Sequence, residues 1–291
     1  MKWDNIISSV IQGTKDLDAN IRDMIVATLH KSRKDEYNEM FNPWIPEFTI
    51  HEYGIKESSF PANFCEIKKF NYNNEIVEVR YDHNNYGFRC EDMSEKKDNE
   101  FVVLTTGDST TYGCGLPIEC RYSDIICNEL QLNEDKIIKN YNIALPGHSN
   151  DYIVRSLYKG INTFKPDLVL FLYTYRNRFE HYENNDVKQI TTDVVNKEFF
   201  ALTTEDHMMY SSFKNFAFID LLFNVVDIPY YYGSLDPKIQ TAISIHPNFI
   251  GKFNLDQEAF DNEHPGSNKH KEIANLFLNK YYNDKETRRN I

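Results

Sequence analysis

The sequence predicts an α/β fold, a three-layer sandwich with a central parallel sheet, preceded by a mixed N-terminal extension. Two observations predict it. From residue 100 onward, short apolar runs typical of strands alternate with segments of helical periodicity. One run, residues 168–173, is apolar throughout, as in a strand whose two faces are both covered. Alternating strands and helices form parallel sheets with right-handed crossovers, and ligands bind beyond the carboxyl ends of such strands.

The elements of the domain follow one another along the chain. Pro117 lies near the start of a predicted helix, a position that proline favours. The next helix carries Ile153, Leu157 and Ile161 on one face. Strands are predicted at residues 101–106, 137–144, 168–173 and 242–246, and helices at residues 117–130, 150–164, 210–226 and 267–281.

Residues 1–95 are predicted to form the extension, and residues 96–291 the α/β domain. Residues 14–40 have the apolar spacing of a helix, whereas the stretch that follows contains prolines and alternating, strand-like runs such as residues 76–81. The extension is rich in aromatic side chains, which either pack onto the main domain or form a surface on which sugars stack. They include Trp44, Phe48, Tyr53, Phe60, Phe64 and Phe70.

Composition and charge exclude several classes of function. The chain has 291 residues with 32 basic and 44 acidic side chains, and its net charge of −12 disfavours binding to a nucleic-acid backbone. Its five cysteines are odd in number and lack the spacing of a metal site. We therefore expect reduced packing thiols, no bound metal and no nucleic-acid partner.

The location of the protein is predicted from the lack of recognisable membrane-spanning and signal segments. No apolar run approaches the ~20 residues of a membrane-spanning helix, and the first residues lack the apolar segment of a signal peptide. We expect no membrane span and a cytoplasmic protein. The abundance of Asn, Lys, Ile and Tyr is typical of an AT-rich coding source, which leaves a virion-associated location as the alternative.

The heptapeptide Gly-Asp-Ser-Thr-Thr-Tyr-Gly, residues 107–113, follows the first predicted strand of the domain and leads into a helical segment. A serine at such a turn is presented at the carboxyl edge of the sheet, where backbone N–H groups point toward its hydroxyl. Ser109 is therefore a candidate nucleophile if other loops supply its partners. Asp108 beside it is interpreted as a hydrogen-bonding residue of the turn.

Polar loops follow the second and third predicted strands. In the second loop, Gly147 either brings its backbone N–H close to a substrate oxygen or forms an ordinary glycine turn. His148 beside it either contacts a ligand or is an exposed loop histidine. In the third loop, Arg176 and Arg178 either bind an anionic or polar substrate or are solvated.

A fourth loop precedes the last predicted helix and carries Asp261, His264 and a Pro-Gly turn. The carboxylate lies three residues before the histidine, so it can hold one imidazole nitrogen while the other faces outward as a general base. Asp261 and His264 are therefore the candidate partners of Ser109. His270, on the helix that follows, is interpreted as a packing or surface residue.

These motifs, in this order, resemble those of the GDSL-type, or SGNH, hydrolase superfamily from about residue 84 to residue 280. Three segments resemble its first, second and last sequence blocks, and one upstream segment resembles a lead-in found in a subset of these proteins. The segments are Gly107-Asp108-Ser109, Pro146-Gly147, Asp261-x-x-His264-Pro265 and, upstream, Asn84-x-x-Gly87-Phe88-Arg89.

The third block departs from the family's pattern. The family has Gly-x-Asn-Asp after the third strand, and its asparagine donates a side-chain N–H to the oxyanion. In this chain Arg176 stands at that position and Asn177 follows one residue later. Either Asn177 takes the role, or Arg176 replaces it, or the third donor is missing, a loss that typically costs about 10²–10³ in rate.

The resemblance implies a flavodoxin-like sandwich and a serine esterase that needs no cofactor. Ser109 would attack an ester carbonyl with His264 as base and Asp261 as its partner, and the N–H groups of Ser109 and Gly147 would stabilise the oxyanion. The implied partner is a small-molecule or glycan ester, with O-acetyl groups on carbohydrate as the expected substrate. The alternatives are a non-catalytic binding or structural protein on the same scaffold, and a thioesterase or lipid-acyl hydrolase.

Overall fold

The computed structural model describes residues 60–183, 186–190 and 203–289. The helix predicted at residues 14–40 lies outside the described residues, as do three of the aromatic residues of the extension, Trp44, Phe48 and Tyr53. The division of the chain after residue 95 stays a prediction. Among the helices of the described part, none is both long enough and apolar enough to cross a membrane.

Eight strands, six α-helices and one short 3₁₀ helix (Ile118–Cys120) are formed by the described residues. The strands are β1 (Cys65–Tyr72), β2 (Glu75–Asp82), β3 (Glu100–Thr106), β4 (Ile137–Asn142), β5 (Leu168–Tyr173), β6 (Phe179–Glu183), β7 (Asp186–Ile190) and β8 (Tyr230–Ser234). The helices are α1 (Ser109–Tyr112), α2 (Tyr122–Asn133), α3 (Asn150–Phe164), α4 (Glu205–Val225), α5 (Pro237–Ala242) and α6 (Ser267–Arg289).

Four parallel strands form the central sheet in the order β4-β3-β5-β8. The first of these strands in the chain, β3, thus lies between the second and the third. The chain passes from β3 to β4 on one side and then crosses to β5 on the other side. An open sheet of this kind has a crevice beyond the carboxyl ends of the strands at the point where the order reverses. The parallel sheet predicted from the sequence is confirmed, and the crevice lies between β3 and β5.

Helices cover both faces of the sheet, so the domain has three layers. Helices α3 and α4 pack on one face, and α2 and α6 pack on the other. The side chains of β5 alternate between the two cores, with Phe171 in the first and Leu170 and Leu172 in the second. All six residues of β5 are buried, which explains why its sequence is apolar throughout.

The predicted strand at residues 242–246 is wrong. Helix α5 occupies residues up to Ala242, and the fourth strand of the sheet is β8, twelve residues earlier. Helix α5 begins at Pro237 because the Asp236 carboxylate accepts hydrogen bonds from the backbone N–H groups of Lys238 and Ile239. Pro237 follows the cap at the first helical position, where its fixed φ is favourable.

The described part of the extension contains an antiparallel hairpin, β1 and β2. Its two-residue turn, Asn73-Asn74, has positive φ at both residues, as the twist of a tight hairpin requires. On its inner face, Val79 and Tyr81 are buried in a cluster with Tyr112 of α1. The hairpin therefore packs onto the main domain next to the serine turn.

Arg89 lies beneath the loop that follows α1, and only 1% of it is exposed. Its guanidinium donates to the carbonyl oxygens of Gly113 at 2.6 Å and Leu116 at 2.7 Å, and at 3.3 Å to that of Tyr112. Its Cζ lies 4.1 Å from the centroid of the Tyr81 ring. Burial lowers the pKa of Arg89 below its ordinary value. The loop is thus held by donors from the N-terminal part of the chain.

A second buried arginine, Arg121, extends this network. Its Nη1 donates to the backbone carbonyl of Arg89 at 2.6 Å, and its Nε pairs with the Asp124 carboxylate at 2.6 Å. Its side chain also fills the space beside Gly113, where a Cβ would lie only 2.7 Å from it. Gly113 has φ +80°, so both the backbone conformation and the packing require glycine.

Replacing Arg89 by alanine is expected to lower the free energy of unfolding by about 3 kcal/mol, because buried carbonyl groups lose their donors. Urea unfolding followed by circular dichroism measures this loss. The matched control is Arg80→Ala, which removes an arginine of β2 whose side chain is 66% exposed and pairs with Asp82. Equal losses in the two variants would contradict the structural role of Arg89.

Candidate active site

Ser109 is the first residue of α1, directly after β3. The Asp108 side chain caps this short helix by accepting a hydrogen bond from the Thr110 backbone N–H at 3.0 Å. A Cβ at Gly107 would lie 2.1 Å from Thr111 Oγ1, so the strand can turn into the helix here only with glycine. The turn thus presents Ser109 at the carboxyl edge of the sheet, as predicted.

Asp108 joins the serine turn to the loop after β5. Its Oδ2 accepts hydrogen bonds from Thr174 Oγ1 and from Arg178 Nη1, both at 2.7 Å. The Thr174 backbone is held in turn by Asn150, whose Oδ1 accepts from the Thr174 N–H at 2.8 Å. Asp108 is therefore a structural residue of the turn, and it ties together two loops across the crevice.

Asp261 and His264 form a hydrogen-bonded pair in the turn before α6. Asp261 Oδ2 lies 2.8 Å from His264 Nδ1, and Oδ1 accepts from the backbone N–H groups of Glu263 and His264 at 3.1 Å each. Burial raises the pKa of the Asp261 carboxyl, but these hydrogen bonds outweigh it and the net pKa is lowered. Asp261 is therefore a carboxylate at neutral pH that fixes one nitrogen of the His264 ring.

Gly115 makes room for the Asp261 carboxylate. It has φ +70°, and a Cβ there would lie 2.6 Å from Asp261 Cγ. Its backbone N–H donates to Tyr81 Oη at 2.8 Å, and its carbonyl accepts from the Phe260 N–H at 3.1 Å. The loop held by Arg89 is therefore in direct contact with the carboxylate of the pair.

Ser109 and His264 line one cavity of about 450 Å³, which we call the first cavity. Its walls come from the serine turn, from the loop after β5 and from the turn before α6. Most of the side chains are polar or charged. The lining residues are Asp108, Ser109, Thr110, Tyr175, Arg178, Leu255, Asp256, Gln257, Glu263, His264 and Pro265.

The second predicted loop lies beside the serine turn, since the Leu145 backbone N–H donates to the Gly107 carbonyl at 3.3 Å. Gly147 has φ +77°, and no atom would lie within 4 Å of a Cβ there, so its surroundings are open. His148 is only 4% exposed, and its Nδ1 lies 3.0 Å from the Pro146 carbonyl oxygen. His148 is thus a buried residue of the loop and does not line the first cavity.

The loop after β5 contributes Tyr175 and Arg178 to the first cavity, and not Arg176 or Asn177. The Arg176 guanidinium pairs instead with Asp236, the cap of α5, at 2.6 Å. Arg178 reaches the cavity while one of its nitrogens is bound to Asp108. Of the two arginines predicted to contact substrate, the structure therefore brings only Arg178 to the serine.

Sequence reasoning missed the segment 255–257, which forms one wall of the first cavity. It has no regular secondary structure and belongs to none of the sequence motifs. Asp256 holds it in place by accepting the Gly266 backbone N–H at 2.8 Å. The proximity of Asp256 to the Asp-x-x-His motif is the only signal that the sequence offers. No group of three or more potential metal ligands occurs in the described part of the chain.

The solved structures that are similar to this chain include three of low sequence identity. TesA is 13% identical, with 62% of this chain and 97% of that one covered and a TM-score of 0.41. An acetylxylan esterase from Geobacillus stearothermophilus, solved as a catalytic mutant, is 16% identical, with coverages of 65% and 96% and a TM-score of 0.38. A family 3 carbohydrate esterase from Clostridium thermocellum is 13% identical, with coverages of 62% and 94% and a TM-score of 0.38.

No family model matches the chain, and no curated protein matches it. The similarity to the three solved structures is one of fold alone. At identities of 13–16% and TM-scores of 0.38–0.41, its activity has to be inferred from its own side chains.

Three histidines are buried away from the first cavity. Burial lowers the pKa of His83 and of His148 to about 4, and that of His270 to about 3. His270 Nδ1 accepts the Tyr122 backbone N–H at 3.1 Å, which requires a neutral ring. His270 is therefore a packing residue, one of the two roles predicted for it.

These buried histidines predict that stability falls as the pH is lowered below about 6.5, because the unfolded chain binds protons that the folded chain does not. Each contributes about 1.4 kcal/mol per pH unit between the unfolded pKa and the lowered folded pKa. His270→Asn keeps an acceptor for the Tyr122 N–H and removes one titrating ring. The decrease in unfolding free energy between pH 5.5 and 4.5 should therefore be smaller in this variant by about 1.4 kcal/mol.

Urea unfolding at the two pH values measures this difference, and the exposed His207→Asn is the matched control. An unchanged pH dependence in His270→Asn would show that His270 binds its proton equally in the folded and unfolded states.

Proposed function

We propose that this chain is a serine esterase of the GDSL, or SGNH, type that acts through an acyl-serine intermediate. The observation that supports it most is the shared cavity, which Ser109 and His264 both line, while Asp261 Oδ2 lies 2.8 Å from Nδ1 of His264. This arrangement supports the roles of nucleophile, base and orienting carboxylate in a catalytic triad. The roles are those that the sequence motifs predict.

The first step transfers a proton from Ser109 to His264. Because Asp261 accepts a hydrogen bond from Nδ1–H, the proton of the neutral ring lies on Nδ1, and Nε2 carries the lone pair. Nε2 takes the hydroxyl proton as the serine oxygen attacks the ester carbonyl. The Asp261 carboxylate, whose pKa is lowered, stabilises the imidazolium that forms.

The negative charge of the tetrahedral intermediate needs donors. We assign the backbone N–H groups of Ser109 and Gly147 to this role, since the positive φ of Gly147 lets its N–H face the opening beside the serine turn. Arg178 supplies positive charge in the same cavity, fixed in place by Asp108. We propose that it stands in for the third donor, for which the sequence left three alternatives: Asn177, Arg176 or no donor.

The rest of the reaction consists of three proton transfers through the same histidine. The imidazolium of His264 gives its proton to the leaving alkoxide, which departs as the alcohol and leaves the acyl group on Ser109. Water then gives a proton to His264 and attacks the acyl carbon, and collapse of the intermediate returns this proton to the serine oxygen and releases the carboxylic acid. These steps need no redox partner.

The proposed substrate is a short-acyl ester, with O-acetyl groups on carbohydrate as the best match. The polar and charged lining of the first cavity favours a small acyl group and a hydroxylated substrate. A thioesterase or lipid-acyl hydrolase needs a long apolar cleft beside the serine, and the residues around Ser109 favour it less.

A non-catalytic binding protein on the same scaffold is the second candidate, and the position of Arg176 favours it. This arginine stands where the family has a donor asparagine, yet it pairs with Asp236 outside the first cavity. A fluorophosphonate probe separates the two candidates. Labelling of Ser109 that is lost on denaturation supports catalysis, whereas folded protein that is never labelled supports binding alone.

Ser109→Ala is expected to abolish the release of p-nitrophenol from p-nitrophenyl acetate, because the nucleophile is removed. The matched control is Ser94→Ala, which removes an exposed hydroxyl outside the first cavity and should retain full activity. Circular dichroism should show the same fold in both variants. If Ser109→Ala keeps its activity, the nucleophile is another residue.

Gly115→Ala is expected to lower kcat by about 10²-fold, because a Cβ at this position displaces Asp261 and a shift of about 1 Å can have such an effect. Gly251→Ala is the control, since Gly251 also has positive φ but a Cβ there meets only Leu276, at 3.8 Å. Steady-state kinetics with p-nitrophenyl acetate measure both variants. A similar kcat for the two would mean that Gly115 does not position the triad.

A further inference from the structure

We infer that a second cavity, on the other side of His264, binds the alcohol part of the ester through a ring carried by that alcohol. This inference rests on the proposed function. The second cavity has a volume of about 460 Å³ and shares Glu263 and His264 with the first. Its other walls include Phe60, Lys68, Phe70, Tyr81, Tyr112 and Pro146.

The second cavity lies between the hairpin and the catalytic loops. Lys68 and Phe70 alternate with outward-facing residues on β1, so both belong to the inner face of the hairpin. Pro146, on the opposite wall, directly precedes the proposed oxyanion donor Gly147. The extension therefore builds one wall of a cavity that opens beside the proposed reaction centre.

The chemistry of the leaving group assigns this cavity to the alcohol. After the ester bond breaks, the acyl group remains on Ser109, which lines the first cavity. The alkoxide oxygen must be next to His264 to take its proton, and His264 lines both cavities. A group attached to that oxygen can thus extend into the second cavity, which does not include Ser109.

The aromatic walls favour a ring. Phe60 and Phe70 in the lining of the second cavity are partly exposed, whereas Tyr81 and Tyr112 are buried and stacked on each other with their ring centroids 5.9 Å apart. A partly exposed ring can pack against a flat aromatic group or against the C–H face of a sugar. Lys68, whose Nζ lies 5.5 Å from the Tyr81 ring centroid, adds a donor for a polar substituent.

The charges near the second cavity disfavour an anionic ligand. Lys68 is opposed by the carboxylates of Asp261 and Glu263, which line the same cavity. An anionic substituent would gain from the lysine and be repelled by the two carboxylates. A cyclic alcohol without negative charge, either aromatic or a sugar, therefore fits the site.

The test compares three acetate esters that differ only in the alcohol: methyl acetate, benzyl acetate and an O-acetylated monosaccharide. Phe70→Ala should lower kcat/KM for at least one ring-bearing ester relative to methyl acetate by about tenfold, the effect of one lost ring contact. Phe70→Leu removes the ring but keeps most of the side-chain volume. If Phe70→Ala impairs folding, Phe70→Leu should still lower kcat/KM for the ring-bearing ester relative to methyl acetate. Ile67→Ala is the control, because Ile67 is 53% exposed on the opposite face of β1.

The outcomes separate the inference from the proposed function. A change confined to benzyl acetate identifies an aromatic alcohol, and one confined to the acetylated sugar identifies carbohydrate; both support the inference. Equal losses for all three esters, or a changed preference between methyl acetate and methyl butyrate, would overturn it while the esterase proposal stands. Failure of the wild-type protein to hydrolyse any ester would overturn the proposed function itself.

Discussion

The buried guanidinium of Arg89 joins the β1–β2 hairpin to the loop after α1, beside the proposed site of the chemistry. It donates to the carbonyl groups of Gly113 and Leu116 and stacks on Tyr81 of the hairpin. A carbonyl that is buried without a donor costs about 1–3 kcal/mol, so the loop after α1 keeps its path only while these donors are present. Arginine suits the position because its planar group offers several donors in fixed directions.

The position of the proposed triad depends on this loop. Gly115, two residues beyond Gly113, leaves the space that the Asp261 carboxylate occupies, and Asp261 in turn fixes the ring of His264. On the other side of the serine, Asp108 binds Thr174 and Arg178 from the loop after β5. The proposed site is thus assembled by buried hydrogen bonds between segments distant in sequence, each of which reduces the freedom of one loop.

Local sequence predicted most regular elements of the domain because their apolar patterns are unambiguous. The uninterrupted apolar run of β5 is typical of a buried strand, and the apolar residues on one side of α3 are typical of a helix packed on a sheet. The prediction failed at residues 242–246, whose pattern resembles that of a strand. Asp236 instead caps a helix that begins at Pro237 and ends at Ala242. The strand β8 escaped prediction because its Tyr-Tyr-Tyr-Gly-Ser sequence becomes buried only through its neighbours in the sheet.

The sequence by itself determined the α/β class, the serine turn and the Asp-x-x-His pair, since each depends on contacts within a few residues. Only the tertiary structure decided that Arg178, and not Arg176, lines the cavity with Ser109, and that the hairpin forms a second cavity beside His264. The physical reason is the competition between partners for long side chains. Arg176 reaches the buried carboxylate of Asp236, and this partner lies 60 positions away in the chain.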